Sequence, residues 1–308
     1  MDSERIVLKQ NDIIELFEGV EERVKHRFKI LDIVGQGSSS VCYRAQRLSD
    51  GKIGNLKEFY PADYATRNQS WYYSMYRQSD GQLYCSKEYS VRFQHTCEEY
   101  LEGYRLLNET ILKHPDSNIL KNYVQNSEIL YGGIKEDKTH LSFFSRMAGM
   151  FSEQKDDQVE YGTVYIWSVG LEGETFDKYL AKVRNHPDVN PGQRLNEILN
   201  VLITLTDAIK VFHSSGLLHL DIKPKNFLVA LDSERNINSS NISIFDIDAI
   251  YSVDSEKPKC LGTEGYRAPE LALNYADHRA DLYSIGAILF NAIIRKNITN
   301  FSIFVRTP

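Results

Sequence analysis

The spacing of apolar residues changes along the chain, and this change constrains the fold more than any other feature. Between residues 28 and 60, short apolar runs are bounded by Gly, Ser and Asp, which is typical of strands. Later, apolar residues in 194–216 and 279–295 recur every three or four positions, which predicts two helices. Because strands come first and helices follow, the sequence predicts an α+β fold with two lobes.

The remaining segments complete this outline. A third helix is predicted from Ser90 to Leu112, and two further strands within 123–133 and 162–169. Residues 12–24 form an amphipathic stretch. The tyrosine-rich segment 61–92 is interpreted as an insertion that serves as a binding surface or covers a core edge.

These patterns divide the chain into three parts. We expect an N-terminal extension over residues 1–27 and a β-rich lobe over 28–170 that contains the insertion. A mainly helical lobe is expected over 171–308.

Composition and charge exclude several classes of protein. The 308 residues are 42% hydrophobic and 25% charged, as in globular proteins, and the net charge of −6 does not indicate nucleic-acid binding. The four cysteines form no Cys-x-x-Cys pair, which predicts reduced thiols rather than a disulfide framework or a zinc site. The chain shows neither a secretory signal nor an apolar run long enough for a membrane span, so we expect a cytoplasmic protein.

A glycine-containing turn and a lysine indicate a phosphate site. The segment GQGSSS (Gly35–Ser40) lies between two predicted strands, and glycines at 35 and 37 let backbone amides approach a phosphate closely. A plain hairpin turn accounts for such a motif when it stands alone. Lys57 follows one hairpin later on an apolar strand, so that the two together suggest a phosphate anchor.

A carboxylate on the predicted helix 90–112 is expected to hold the lysine. Glu98, Glu99 and Glu102 are the candidates. We favour Glu102, because Leu106 lies four residues on and would share its inward face, whereas Glu99 has Gly103 at that spacing.

The segment HLDIKPKN (219–226) places a carboxylate, an ammonium and an amide in one short turn, an unusual set for a structural loop. Together with ISIFDID (242–248), GTEGYRAPE (262–270) and DLYSIG (281–286), it resembles the motifs of a protein kinase of the Ser/Thr, bacterial-like type. The motifs stand in the family order, and the resemblance extends over about residues 29–295.

The resemblance implies ATP-dependent phosphoryl transfer to Ser or Thr hydroxyls of protein substrates, a reaction that needs alignment and charge neutralisation. Asp221 would orient the hydroxyl and accept its proton, and Lys223 would contact the transferred phosphoryl group. Asn226 and Asp246 would hold Mg²⁺, or Mn²⁺ in its place.

The same resemblance assigns a nucleotide site. Lys57 would bind the α- and β-phosphates of ATP, with Glu102 holding its ammonium group. Ser168 would be the gatekeeper beside the adenine, and Asp281 would brace the catalytic-loop backbone. The other nucleotide-binding positions implied are Gly35, Gln36, Gly37, Ser38, Ser40, Cys42, Asn55, Val169, Leu171 and Leu228.

Several positions depart from the family pattern. Leu220 replaces the Arg that often binds a phosphate on the activation segment, so we expect an enzyme that is not switched by phosphorylation there. Ile247 and Asp248 replace the Phe and Gly of the metal-binding turn. Cys42 and Asn55 replace the Val and Ala above the adenine, which predicts an altered affinity for ATP.

Only 13 residues (296–308) follow the last predicted helix, where kinases continue with further helices. We therefore expect an incomplete C-terminal lobe that a partner or a further segment completes. A pseudokinase-like nucleotide-binding scaffold and a small-molecule phosphotransferase remain alternatives. Retention of Lys57, Asp221, Asn226 and Asp246 favours a kinase over a scaffold, and the APE segment favours protein substrates.

Overall fold

The chain divides into two compact units in the computed structural model. Unit 1 comprises Met1–Glu99 and Asn126–Gly170, and unit 2 comprises Tyr100–Gln125 and Leu171–Pro308. The structure describes residues 5–18, 24–37, 39–61, 63–65, 70–72, 75–85, 89–113, 127–133, 162–169, 173–185, 190–231, 237–254, 262–273 and 275–294.

Strands dominate unit 1, and helices dominate unit 2. The strands of unit 1 are β1 (Ile13–Glu18), β2 (Val24–Gln36), β3 (Ser40–Arg47), β4 (Ile53–Phe59), β5 (Asp63–Ala65), β6 (Ser70–Tyr72), β7 (Met75–Arg77), β8 (Leu83–Cys85), β9 (Ser127–Tyr131) and β10 (Val164–Val169). Helix α1 (Ser90–Lys113) passes from unit 1 into unit 2. Unit 2 continues with β11 (Glu174–Thr175), α2 (Phe176–Asn185), α3 (Pro191–Ser214), β12 (Leu217–Leu218), β13 (Phe227–Leu231), β14 (Ile237–Ile244), β15 (Tyr251–Ser252) and α4 (His278–Ile294).

Unit 1 is built around a closed antiparallel barrel in the order β1-β2-β3-β4-β10-β9. Strand β1 closes the barrel, since it pairs with β2 from Ile13↔Lys29 onward and with β9 at Phe17↔Tyr131. Ile14 on β1 is fully buried, because alternate side chains of a barrel strand point to the interior. The amphipathic stretch 12–24 therefore contributes a strand to the lobe, although it lies within the segment interpreted as an extension.

A buried ion pair joins this barrel to the hairpin of β7 and β8. Glu58 on β4 is fully buried, and its carboxylate accepts hydrogen bonds from Tyr43 Oη (2.9 Å) and Tyr165 Oη (2.7 Å). Arg77 on β7 donates two more, at 3.0 and 2.7 Å. Burial, and then the Glu58 charge, raise the pKa of both tyrosines, which stay neutral donors. A buried carboxylate with four donors is fully compensated.

The core of unit 2 is organised by α3. The Asn190 side chain caps its first turn by accepting from Gly192 N, and Pro191 opens the helix. Gly216 follows the helix at φ +73°, which favours glycine. The buried residues recur every three or four positions and are Ile198, Val201, Leu202, Leu205, Ala208, Ile209 and Phe212.

The predicted α+β class and its main elements are confirmed. The helices predicted at 90–112, 194–216 and 279–295 correspond to α1, α3 and α4. Within the described residues, no helix is long and apolar enough to cross a membrane. Cys42, Cys85 and Cys97 are present as thiols, and Cys260 lies outside the described residues.

Replacing Arg77 by Met is expected to lower the free energy of unfolding by about 3–5 kcal/mol, because the Glu58 carboxylate would stay buried without its cation. Urea unfolding followed by tryptophan fluorescence measures this change.

The matched control is Arg44→Met. Arg44 pairs with Asp32 at 2.6 Å, but the two side chains are 56% and 47% exposed, so the expected loss is below about 1 kcal/mol. Equal losses in the two variants would contradict the importance assigned to the buried pair.

Candidate active site

The loop that contains Asp221 runs from β12 to β13 and is held by a buried carboxylate. Asp281, in the first turn of α4, is fully buried and accepts hydrogen bonds from the backbone N–H groups of His219 (2.9 Å) and Leu220 (2.8 Å). Its Oδ2 also lies 2.9 Å from Nε2 of His213 on α3. These bonds hold Leu220 at φ +61°, a backbone conformation that costs a non-glycine residue about 1–2 kcal/mol.

Three side chains form a hydrogen-bonded cluster within this loop and the segment that follows Gly262. Lys223 Nζ lies 2.7 Å from Asp221 Oδ2 and 2.8 Å from Thr263 Oγ1. Thr263 Oγ1 donates to the other carboxylate oxygen of Asp221 at 2.6 Å. Asp221 and Lys223 keep 15% and 19% of their side-chain surface exposed. The carboxylate is therefore fixed in direction and still open to a ligand.

Asn226 and Asp246 are brought together by strand pairing. Asn226 directly precedes β13, Asp246 is the second residue after β14, and these strands pair at Phe227↔Ile244. The N–H of Phe245 donates to the Asn226 carbonyl at 2.9 Å. Asp246 adopts a left-handed conformation at φ 61° and ψ 58°. The two side chains thus belong to the same end of one strand pair.

The donor atoms at this end fit a hard cation. Asn226 Nδ2 donates to the backbone oxygen of Asp221 (2.9 Å) and to its carboxylate (3.1 Å), which leaves the amide oxygen as the atom that could bind a metal. Asp246 adds a carboxylate. In the described part of the chain, no three His, Cys, Asp or Glu side chains group as a metal site. A cation here would need phosphate oxygens as further ligands, as Mg²⁺ commonly does.

The predicted nucleotide-site residues of unit 1 share one face of the barrel sheet. Lys57 on β4 stands opposite Cys42 on β3, and Asn55 stands opposite Ser168 on β10. Because paired residues and residues two apart share a face, these four side chains lie on one side of the sheet. Gly35 is paired with Cys42 at the end of β2.

The other predicted nucleotide-site residues are distributed as follows. Gln36 ends β2, Ser40 begins β3, and Val169 ends β10. Leu228 lies in unit 2, on β13 opposite Thr175. Ser38 and Leu171 lie outside the described residues.

Residues 160–302 match the family described as the protein kinase domain, and this region contains Asp221, Lys223, Asn226 and Asp246. Over these residues the chain is similar to the protein kinase family. Proteins of this family share a two-lobed fold and use ATP and a divalent metal.

Curated relatives of the chain are named as protein kinases. The chain is 31% identical to serine/threonine-protein kinase Pkn1 of Myxococcus xanthus over 102 residues, which are 31% of this chain and 14% of the relative. It is 33% identical to mitogen-activated protein kinase pmk-1 of Caenorhabditis elegans over 110 residues, 34% of this chain and 27% of the relative. A probable serine/threonine-protein kinase of Clostridium perfringens is 25% identical over 182 residues, 57% of this chain and 24% of the relative. The matched regions thus cover roughly a quarter or less of these relatives' lengths.

An apolar cluster surrounds Leu220, where many members of the family have an Arg. Leu220 is 1% exposed and packs with Leu218, Ala268, Leu271 and Ala280. Leu271 belongs to the short helical turn Pro269–Leu273, which follows the candidate activation segment. Dispersion and burial therefore connect Leu220 to the end of that segment, whereas Thr263 near its other end is hydrogen-bonded to Asp221 and Lys223.

Helix α1 approaches the turn at Asp246 through a glycine. A Cβ added to Gly103 would collide with the carbonyl oxygen of Ile247, so only glycine allows this approach. Ile247 is fully buried. The face of α1 that carries Gly103 is thus the face turned toward the turn at Asp246.

The expectation that Glu102 lies on the inward face of α1 is wrong. Its side chain is 54% exposed and lies 3.9 Å from Arg105 on the same helix, whereas the Glu99 side chain is 34% exposed. The buried stripe of α1 contains Tyr100, Tyr104 and Leu107, and Glu102 lies outside it. The pairing of Lys57 with Glu102 remains a prediction.

Sequence reasoning missed two members of the site. His213 contacts Asp281 from a position 68 residues earlier, and no local pattern links the two. In the sequence, Gly103 served only as an argument against Glu99 as the carboxylate that holds Lys57. A glycine at a buried position of a predicted helix could have indicated a close backbone approach, because glycine weakens a helix unless packing requires it.

Proposed function

We propose that the chain is a Ser/Thr protein kinase, which transfers the γ-phosphoryl group of ATP to a hydroxyl group of a protein substrate with Mg²⁺. The observation that carries the proposal is the hydrogen-bonded cluster of Asp221, Lys223 and Thr263. It combines a fixed carboxylate with an adjacent ammonium group, and phosphoryl transfer depends on such alignment and charge neutralisation.

The proposed reaction assigns one role to each side chain. Asp221 orients the substrate hydroxyl and accepts its proton as the oxygen bonds to the γ-phosphorus. The bond from that phosphorus to the bridging oxygen breaks, and ADP leaves. Lys223 stabilises the negative charge on the transferred group. A bound Mg²⁺ would neutralise phosphate charge, held by Asn226 and Asp246.

The nucleotide would lie against the sheet face of unit 1 that carries Cys42, Asn55, Lys57 and Ser168. We propose that Lys57 binds its α- and β-phosphates. As the carboxylate that holds Lys57 we place Glu99 ahead of Glu102, because the Glu99 side chain is the less exposed of the two.

The Asp221→Asn variant should lose phosphoryl transfer from labelled ATP to a generic protein substrate by about 10²–10⁴-fold, because the general base is removed. Asp207→Asn, an exposed carboxylate on α3, serves as the matched control and should remain active. ATP binding by the parent without transfer would favour a pseudokinase-like scaffold. Transfer to small metabolites alone would favour a small-molecule phosphotransferase.

Glu99→Gln and Glu102→Gln separate the two candidate partners of Lys57. We expect Glu99→Gln to lower kcat/KM for ATP about tenfold, the effect of losing one charge-assisted hydrogen bond. Glu102→Gln should leave kcat/KM close to the parent value. The reverse order of effects in steady-state assays would restore Glu102 as the partner.

Transfer should persist after phosphatase treatment of the purified chain. This expectation rests on Leu220, which is buried among apolar residues. An Arg at this position could have bound an activating phosphate, whereas a Leu cannot. The assay compares treated and untreated protein with the phosphatase removed. Loss of transfer on treatment, with recovery after incubation with ATP, would contradict this expectation.

A further inference from the structure

The N-terminal strap, residues 5–12, lies along unit 1 before β1 and is attached to it by backbone hydrogen bonds. Asn11 N donates to the Ile30 carbonyl at 2.8 Å, and Ile30 N donates to the Asp12 carbonyl at 2.9 Å. Leu8 is 1% exposed, and its N–H donates to Tyr43 Oη at 3.1 Å. The strap is therefore an integral part of unit 1.

The buried ion pair of the barrel also holds the strap. Arg77 Nε donates to the Ile6 carbonyl at 2.7 Å while its two terminal nitrogens bind Glu58. Tyr43, which accepts from Leu8, itself donates to Glu58. Glu58 is the neighbour of Lys57 on β4. The strap thus shares its anchor with the strand that carries the proposed phosphate-binding lysine.

At the start of the strap, Arg5 contacts the glycine loop (residues 35–40). Arg5 Nη1 donates to the Gly37 carbonyl at 2.5 Å and lies 3.4 Å from the Ser40 carbonyl. The guanidinium carbon lies 5.5 Å from the centre of the Tyr60 ring, which is 1% exposed. Stacking on a buried ring limits the directions in which the guanidinium can donate.

A donor on the Gly37 carbonyl restrains the loop backbone, because a peptide group is planar and turns as one unit. In a loop that binds phosphate, backbone N–H groups are the ligands, so the backbone conformation decides whether they can bind. Gly37 N is itself bonded to the Ser40 carbonyl at 2.9 Å, so the loop closes on itself beside the Arg5 contact.

We propose that Arg5 is a positioning residue for nucleotide binding: it holds the glycine loop in the conformation that receives the phosphates of ATP. This inference rests on the proposed function, since it assumes that the loop binds ATP. Arg5 acts through the Gly37 carbonyl and requires no contact with the nucleotide.

Arg5→Met keeps most of the side-chain stem and removes the donor. The KM for ATP is expected to rise about tenfold, as on loss of one hydrogen bond from a charged group, with the KM for the protein substrate unchanged. The dissociation constant of a fluorescent ATP analogue should rise in parallel. A role limited to stability would lower the unfolding midpoint and leave both nucleotide constants at the parent value.

Arg27→Met is the matched control, because Arg27 lies on β2 of the same barrel with a 55% exposed side chain that pairs with Glu15 at 3.7 Å. It should bind ATP like the parent. Should Arg5→Met fail to fold, Arg5→Lys is measured instead, since its single ammonium cannot reproduce the guanidinium geometry and a raised KM for ATP is again expected.

An unchanged affinity for ATP in the folded Arg5 variant would overturn the inference, as would an equal loss in Arg27→Met. The parent chain separates this result from failure of the proposed function. If the parent binds no ATP, the proposed function fails. If the parent and Arg5→Met bind ATP equally, only the role of Arg5 fails.

Discussion

The candidate site depends on the buried carboxylate of Asp281. It binds two consecutive backbone N–H groups of the loop and contacts a histidine of α3, so one side chain joins two helices to the loop. Two charge-assisted bonds to the backbone offset the cost of the left-handed residue at Leu220. The position of Asp221, and of the lysine and threonine bonded to it, follows from this constraint.

In unit 1 a buried carboxylate likewise holds separate segments of the chain together. Glu58 gathers Tyr43, Tyr165 and Arg77 around one carboxylate, and these groups in turn hold the strap and the β7–β8 hairpin. A hydrogen-bond network of this kind favours one arrangement of these segments, because moving any of them would leave a buried polar atom without a partner. Segments far apart in sequence are therefore fixed beside the glycine loop by hydrogen-bond geometry rather than by apolar packing alone.

The sequence was sufficient to predict those elements whose pattern lies in neighbouring residues. The period of apolar residues gave α1, α3 and α4, and the alternation in short runs gave β2, β3 and β4, since these patterns reflect burial of one face. The residues of HLDIKPKN meet because they are close in sequence. Their partner Thr263 is 40 residues beyond Lys223.

Contacts between residues that are far apart in the chain could not be predicted from the sequence. The closure of the barrel by β1 depends on pairing with β9, more than a hundred residues away, and the Arg5 contact with Gly37 spans 32 residues. Glu102 was placed on the wrong face because one residue on a helix changes direction by about 100°. Neither hydrogen bonds between distant segments nor the exact phase of a helix follows from periodicity.

Closure of the barrel has a further consequence for assembly. An open sheet presents unpaired N–H and C=O groups along its outer strands, to which another chain can add a strand. Because β1 pairs with β2 along its length and with β9 at Phe17 and Glu18, the described barrel strands leave less of this edge open. A protein that associates with the closed part of the barrel wall would therefore recognise outward-facing side chains.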